Sequence, residues 1–195
     1  MLKDLATSLR PALVMGLLFA LLLGIGYPLA MTGLGQLFFP RQANGSLVID
    51  HGRAIGSSVV GQAFVSDRYF NSRPSAAGKG YDGIASSGSN LGPASQALVD
   101  RVKADVTRLD AKTGETIPAD IVTASGSGLD PDISPENARF QISRIAKARA
   151  LPEARLQRLV DEATAHPILG FLGEARVNLL DINRRLDAIG AKATG

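Results

Sequence analysis

Few residues in this chain are of a type and spacing that could do chemistry. His51 and His166 are the two imidazoles, and there is no cysteine. A serine nucleophile needs a base within hydrogen-bond reach. His51 falls in an expected turn, His166 precedes Pro167, and no G-x-S-x-G elbow occurs, so a Ser/His hydrolase is not expected. The usual zinc spacings need cysteine or histidine pairs, which are missing. Asp130 and Asp132 flank Pro131 and could offer oxygens to calcium. The alternative is turn chemistry ahead of a Ser-Pro helix start, where short carboxylates satisfy backbone donors. No catalytic residue and no metal ligand is assigned.

Thr123-Ala-Ser-Gly-Ser-Gly128 follows an expected strand. Glycine-rich loops of that kind can aim N–H groups at phosphate, which makes Ser125, Gly126, Ser127 and Gly128 candidate nucleotide ligands. The lysine of a G-x-x-x-x-G-K-[ST] loop is missing. The competing reading is a tight turn that needs positive φ at Gly126 or Gly128. Arg139, Arg144, Lys147, Arg149, Arg155 and Arg158 are offset only by Glu153. They suit anionic lipid or an acidic partner, or else a solvated helix face.

The elements that must position these residues begin with a membrane anchor. Between Arg10 and Arg41 lie thirty residues without a charge. Crossing a hydrocarbon core takes about 20 apolar residues, and residues 11–31 supply them. A secretory signal has an apolar part of only about 7–15 residues followed by a small-residue cleavage site. The site near Pro28-Leu29-Ala30 is poor, so an uncleaved anchor is expected. Lys3 and Arg10 precede the span, and flanking positive charge stays in the cytoplasm. Residues 1–10 are therefore expected inside, 32–45 as a linker, and 46–195 as one extracytoplasmic domain. With 21 basic and 18 acidic residues in the whole chain, the balance does not suit nucleic acid.

The domain reads as α+β, with short strands early and helices late. Ser46–Gly56 is a hairpin turning at Asp50-His51-Gly52, and 57–65 continues extended. Residues 72–92 are rich in Gly and Ser and read as a flexible loop. Helix resumes at Pro93 and closes at Gly114. Residues 120–123 suggest a short strand. Ser134-Pro135-Glu136 starts a helix: Ser caps, Pro occupies the first turn, and Glu complements the dipole. Pro152 opens the next helix, 170–176 is a loop, and Leu179, Ile182, Leu186 and Ile189 mark a last helix stopped by Gly190.

Four ordered motifs carry a resemblance. They are Arg68-Tyr-Phe-Asn-Ser-Arg-Pro-Ser75; Ser87-Gly-Ser-Asn-Leu-Gly-Pro93; Val122-Thr-Ala-Ser-Gly-Ser-Gly-Leu-Asp-Pro131 with Ile133-Ser-Pro135; and Gly170-Phe-Leu-Gly-Glu-Ala-Arg-Val-Asn178. With the single N-terminal span they resemble the C subunit of the Kdp potassium-transporting P-type ATPase. The resemblance implies a bacterial inner-membrane complex. Its A subunit is channel-like, its B subunit hydrolyses ATP through an aspartyl-phosphate, and a small F subunit packs against them. It implies that this chain is a non-catalytic accessory subunit needed for assembly, and a catalytic chaperone that raises the ATP affinity of the B subunit. No tightly bound cofactor is expected; ATP would be met through a ternary complex with the B subunit, or directly at Ser125–Gly128. Arg73, Asn90, Glu174 and Arg176 are the expected polar anchors, either at partner surfaces or inside their own loops. The sequence departs from the family pattern at Asp132, where His or Asn is commoner, at Ala150 (Gly or Asn) and at Ala175 (Pro).

Overall fold

The structure, a computed structural model, describes residues 2–113 and 116–191. Gly114, the expected helix stop, lies outside the described residues. The chain divides into two compact units, Met1–Leu47 and Val48–Gly195.

The first unit is a long helix: α1 (Leu2–Leu21), one π-helical turn (Leu22–Gly26) and α2 (Tyr27–Phe38). Thr7–Phe38, 32 residues, is long and apolar enough to cross a membrane. At 1.5 Å per residue that is about 48 Å, longer than the ~30 Å of a hydrocarbon core. Helix thus continues past Met31, through the first half of the expected 32–45 linker. The π turn lies just before Pro28, which has no N–H to give and whose ring crowds the preceding turn. There the Tyr27 N–H donates to Leu22 C=O, one residue further back than in an α-helix. Pro40 ends the helix by excluding Phe39 from the α region, and Phe39 sits at φ −136°, ψ 51°. The short α3 (Pro40–Ala43) follows.

The expected hairpin follows, β1 (Leu47–Asp50) and β2 (Arg53–Ser57). His51 and Gly52 take φ 45° and 77°, the two left-handed positions of a type I′ turn. After β2 the backbone runs without a regular strand to residue 95. Residues 57–65, expected to continue a strand, make only the Ser57–Val60 bridge. α4 (Gln96–Thr113) begins three residues later than expected. Residues 120–123 are not a strand. Ala119–Ile121 is a 3-10 turn, because Asp120 turns its carboxylate to Ser134 and Asn137 and no strand pairs with the segment.

The core lies among α5 (Pro135–Phe140), α6 (Ile142–Arg149), α7 (Glu153–Ala163), α8 (Leu179–Ala191) and a three-stranded antiparallel sheet. The sheet has order β3-β5-β4, with β3 Asp132–Ile133, β4 Thr164–Ala165 and β5 Arg176–Asn178. Its register pairs Ile133 and Thr164 with Val177, so Val177 sits at its centre, fully buried. Ser134 caps α5 as expected, its hydroxyl accepting from the Asn137 N–H. Ile145, Leu156, Val160, Ile182 and Leu186 are fully buried, and so is Phe70 from the irregular segment.

Phe70 is held by side chains. The Phe70 N–H donates to Asn183 Oδ1 at 2.9 Å, and Asn183 Nδ2 donates back to the Phe70 carbonyl at 3.0 Å. Gln141 does the same for Asn71, accepting from its N–H at 2.6 Å and donating to its carbonyl at 3.1 Å. Arg144 donates to the carbonyls of Ser66, Asp67 and Tyr69. Arg149 donates to the Arg68 carbonyl and to Asp187, and stacks over the Tyr69 ring at 4.7 Å. Arg144 and Arg149 were expected on a partner-binding or solvated face; both are instead clamps inside the domain. Burial lowers the Arg144 pKa from its ordinary value, with Asp67 opposing.

α6 ends at Ala150 with φ 53°, ψ 42°, while the Leu151 N–H reaches back to Ala146. That left-handed position ordinarily goes to glycine, since a Cβ there is strained. Ala150→Gly is expected to stabilise the protein by about 1 kcal/mol, read as a higher denaturation midpoint. A lower midpoint would contradict the strained cap.

Candidate functional site

Three of the four motifs meet along one seam. Arg73, from the first, pairs with Asp130 of the third at 2.8 Å, both side chains about one-quarter exposed. Two residues on, Ser75 Oγ donates to the Gly128 carbonyl at 2.6 Å and accepts the Tyr81 N–H at 2.8 Å. The Tyr81 hydroxyl donates to the Arg73 carbonyl, and burial raises its pKa above the ordinary phenol value. The Ser87 N–H and the Ser86 hydroxyl donate to the Ser127 carbonyl. Residues 72–92, flexible by composition, are thus fastened to the 125–130 loop.

That loop shows why Gly128 is there. Gly128 has φ 67°, and a Cβ on it would lie 2.6 Å from both the Ala77 nitrogen and the Ser87 oxygen. A Cβ on Gly88 would lie 2.8 Å from the Gly126 oxygen. The Gly128 N–H donates to Ser125 C=O, and Ser125 is buried. Gly128 therefore fulfils the tight-turn reading. Gly126 does not have positive φ.

Beside the seam an open polar cavity of about 360 Å³ is lined by Arg73, Asp120, Asp130, Asp132, Ser134, Glu174 and Arg176, among others. Three of the four expected anchors, Arg73, Glu174 and Arg176, therefore share one cavity. Asn90 is not among its lining residues; it is exposed with φ 52°, a conformation asparagine tolerates. Most of the cavity's charges are spoken for. Asp130 Oδ1 accepts the Asp132 N–H at 3.0 Å, the turn chemistry expected of Asp-Pro-Asp. Asp132 Oδ2 pairs with Arg176 Nε at 3.1 Å, and its other oxygen accepts from Asn178 Nδ2 at 2.9 Å. Asp120 accepts from the Ser134 N–H and hydroxyl and from Asn137 Nδ2. Among the described residues no group of three His, Asp or Glu is placed to hold a metal ion.

The buried amides that fix this region, Asn137, Gln141 and Asn183, escaped the sequence reading. The signal was present: Asn183 stands on the apolar stripe between Leu179 and Leu186, and Gln141 between Ala138 and Ile145. A polar residue on a buried stripe needs a partner.

Residues 9–188 match the family described as K+-transporting ATPase, c chain. The chain is 56% identical over 184 residues to a potassium-transporting ATPase KdpC subunit of Caulobacter vibrioides (strain NA1000 / CB15N), covering 93% of each. It is 53% identical to one of Methylobacterium nodulans, over 94% of this chain and 98% of the relative. A relative in Rhodopseudomonas palustris (strain BisB18) is 49% identical, over 93% and 98%.

Asp132 lines the polar cavity with a partly buried side chain. Burial pushes its pKa above the ordinary 3.8, Asn178 and Arg176 oppose, and Asp130 adds to the rise. The folded state therefore holds this proton more tightly than the unfolded chain. Stability contributed by Asp132 is largest below 3.8, falls as pH climbs to the raised folded value, and is constant above it. Asp132→Asn keeps an oxygen for the Asn178 amide and abolishes the titration. Urea denaturation across this window should find wild-type stability, relative to the variant, declining as pH rises; a relative gain with pH would contradict the assignment.

Proposed function

The chain belongs to the KdpC family of potassium-transporting ATPase c chains, and from that premise we propose that it is a non-catalytic accessory subunit that assembles and stabilises the pump. Its helix anchors the chain in the bacterial inner membrane beside the channel-like A subunit, with the small F subunit nearby. Lys3 and Arg10 keep the N-terminus cytoplasmic, and the second unit lies on the outer face. The observation that carries this reading is how the motif residues are used. Arg73 is committed to Asp130, Arg176 to Asp132, and Gly128 to the turn that receives Ser75. Such residues build a shaped surface, and a shaped surface serves assembly.

Any rise in ATP affinity of the B subunit then comes through contact between subunits. Ser125–Gly128 serves the fold: the Gly128 N–H donates to the Ser125 carbonyl, and the Ser127 and Gly128 carbonyls accept from Ser86, Ser87 and Ser75. A nucleotide placed at this loop would also face the outside, away from cytosolic ATP.

Deletion of residues 1–40 is expected to leave a folded domain, because the buried apolar cluster lies wholly after Phe64. The same deletion should abolish co-purification with the other subunits and potassium-stimulated ATPase activity. Retention of both after the deletion would overturn the proposal.

A further inference from the structure

The connection between β4 and β5 carries four exposed large apolar side chains within five residues. Ile168, Leu169, Phe171 and Leu172 are 71%, 79%, 72% and 52% exposed. Monomeric surfaces rarely keep such groups together unless they meet something. The segment is nonetheless built to one shape. Ile168 and Leu172 exchange backbone hydrogen bonds at 3.0 Å in both directions, and the Gly170 N–H closes on the Pro167 carbonyl at 3.1 Å. Leu169 is held at φ 56°, a conformation that costs a non-glycine residue about 1 kcal/mol. Both ends of the connection are fixed, because β4 and β5 pair in the sheet over the core.

We infer that this knob, Ile168–Leu172, seats in an uncharged apolar pocket on another subunit of the same ATPase; the inference rests on the subunit reading above. Two observations favour a protein pocket over the bilayer. A preorganised shape lowers the ordering cost of docking into a complementary pocket, whereas a lipid surface asks for no fixed shape. Segments that enter a membrane surface are also rich in Lys and Arg, which anionic lipid attracts. From Pro167 to Gly173 there is no charge at all, and the first to follow is Glu174. The knob also adjoins Glu174 and Arg176, which line the polar cavity. Large apolar anchors beside polar groups are the arrangement of an interface centre and its rim.

The test uses the full chain co-expressed with the pump's other subunits and recovered through a tag on this chain. Wild type should bring the other subunits down. Leu169→Asp and Phe171→Asp should each lower their recovery about tenfold or more. Ile84→Asp, at a 98% exposed apolar residue elsewhere, should not. Unchanged unfolding midpoints would separate lost docking from lost folding. Full recovery with both knob variants overturns the inference. If wild type itself recovers no subunits, the subunit reading fails and takes the knob with it. Because the chain has no tryptophan, Phe171→Trp gives a second, independent readout. Its emission should shift to the blue only when the other subunits are present. Quenching by brominated lipid in vesicles holding this chain alone would assign the knob to the bilayer and overturn the proposal.

Discussion

Two buried side-chain amides hold the second unit together. Asn183 and Gln141 each embrace one residue of an irregular segment, donating to its carbonyl and accepting from its N–H. A buried backbone group left unpaired costs about 1–3 kcal/mol, so a segment without strand or helix can enter a core only if such partners exist. They exist here on α8 and at the α5–α6 junction, and they let Phe70 sit fully buried among the helices. Asn137 extends the chain of bonds: its carbonyl oxygen accepts from Gln141, and its amide donates to Asp120. One connected network therefore runs from the Phe70 segment to the floor of the polar cavity.

That network explains how a loop-rich domain presents a defined surface. Once Phe70 and Asn71 are fixed, Arg73 and Ser75 follow within a few residues and reach Asp130 and Gly128. On the other side of the cavity, β5 places Arg176 against Asp132, and the connection before it carries the apolar knob. Charges in the seam are largely neutralised by neighbours of the same chain. In partly buried ion pairs of this kind the attraction is offset by the cost of removing charge from water; their role is to set the loops at fixed positions.

The sequence was most informative where a physical rule acts on a few neighbouring residues. The helix over residues 11–31, the His51-Gly52 turn and the Ser134-Pro135 helix start all formed as read. Pro40 set the end of the long helix, although its first turns beyond Met31 were expected to be linker. The sheet was illegible because its strands are two or three residues long, too short for any alternation. At 120–123 a β-rich composition misled, since Asp120 had partners fourteen and seventeen residues away. The glycine- and serine-rich stretch misled for a related reason: composition reports freedom of the backbone, and Ser75, Ser86 and Ser87 spend that freedom on bonds to the 127–128 carbonyls. Of the site, Arg73, Glu174 and Arg176 were legible as motif charges. Their common cavity depended on contacts across about fifty to a hundred positions, beyond any local pattern.

Side-chain amides lock the Phe70 segment into the core as firmly as a strand would be held. Amide hydrogen exchange on the full-length protein tests it most directly. The Phe70 and Asn71 N–H groups should exchange as slowly as those of α7 and α8, through global opening alone. Exchange at these two positions as fast as in the exposed loop around Gly83 would contradict the account.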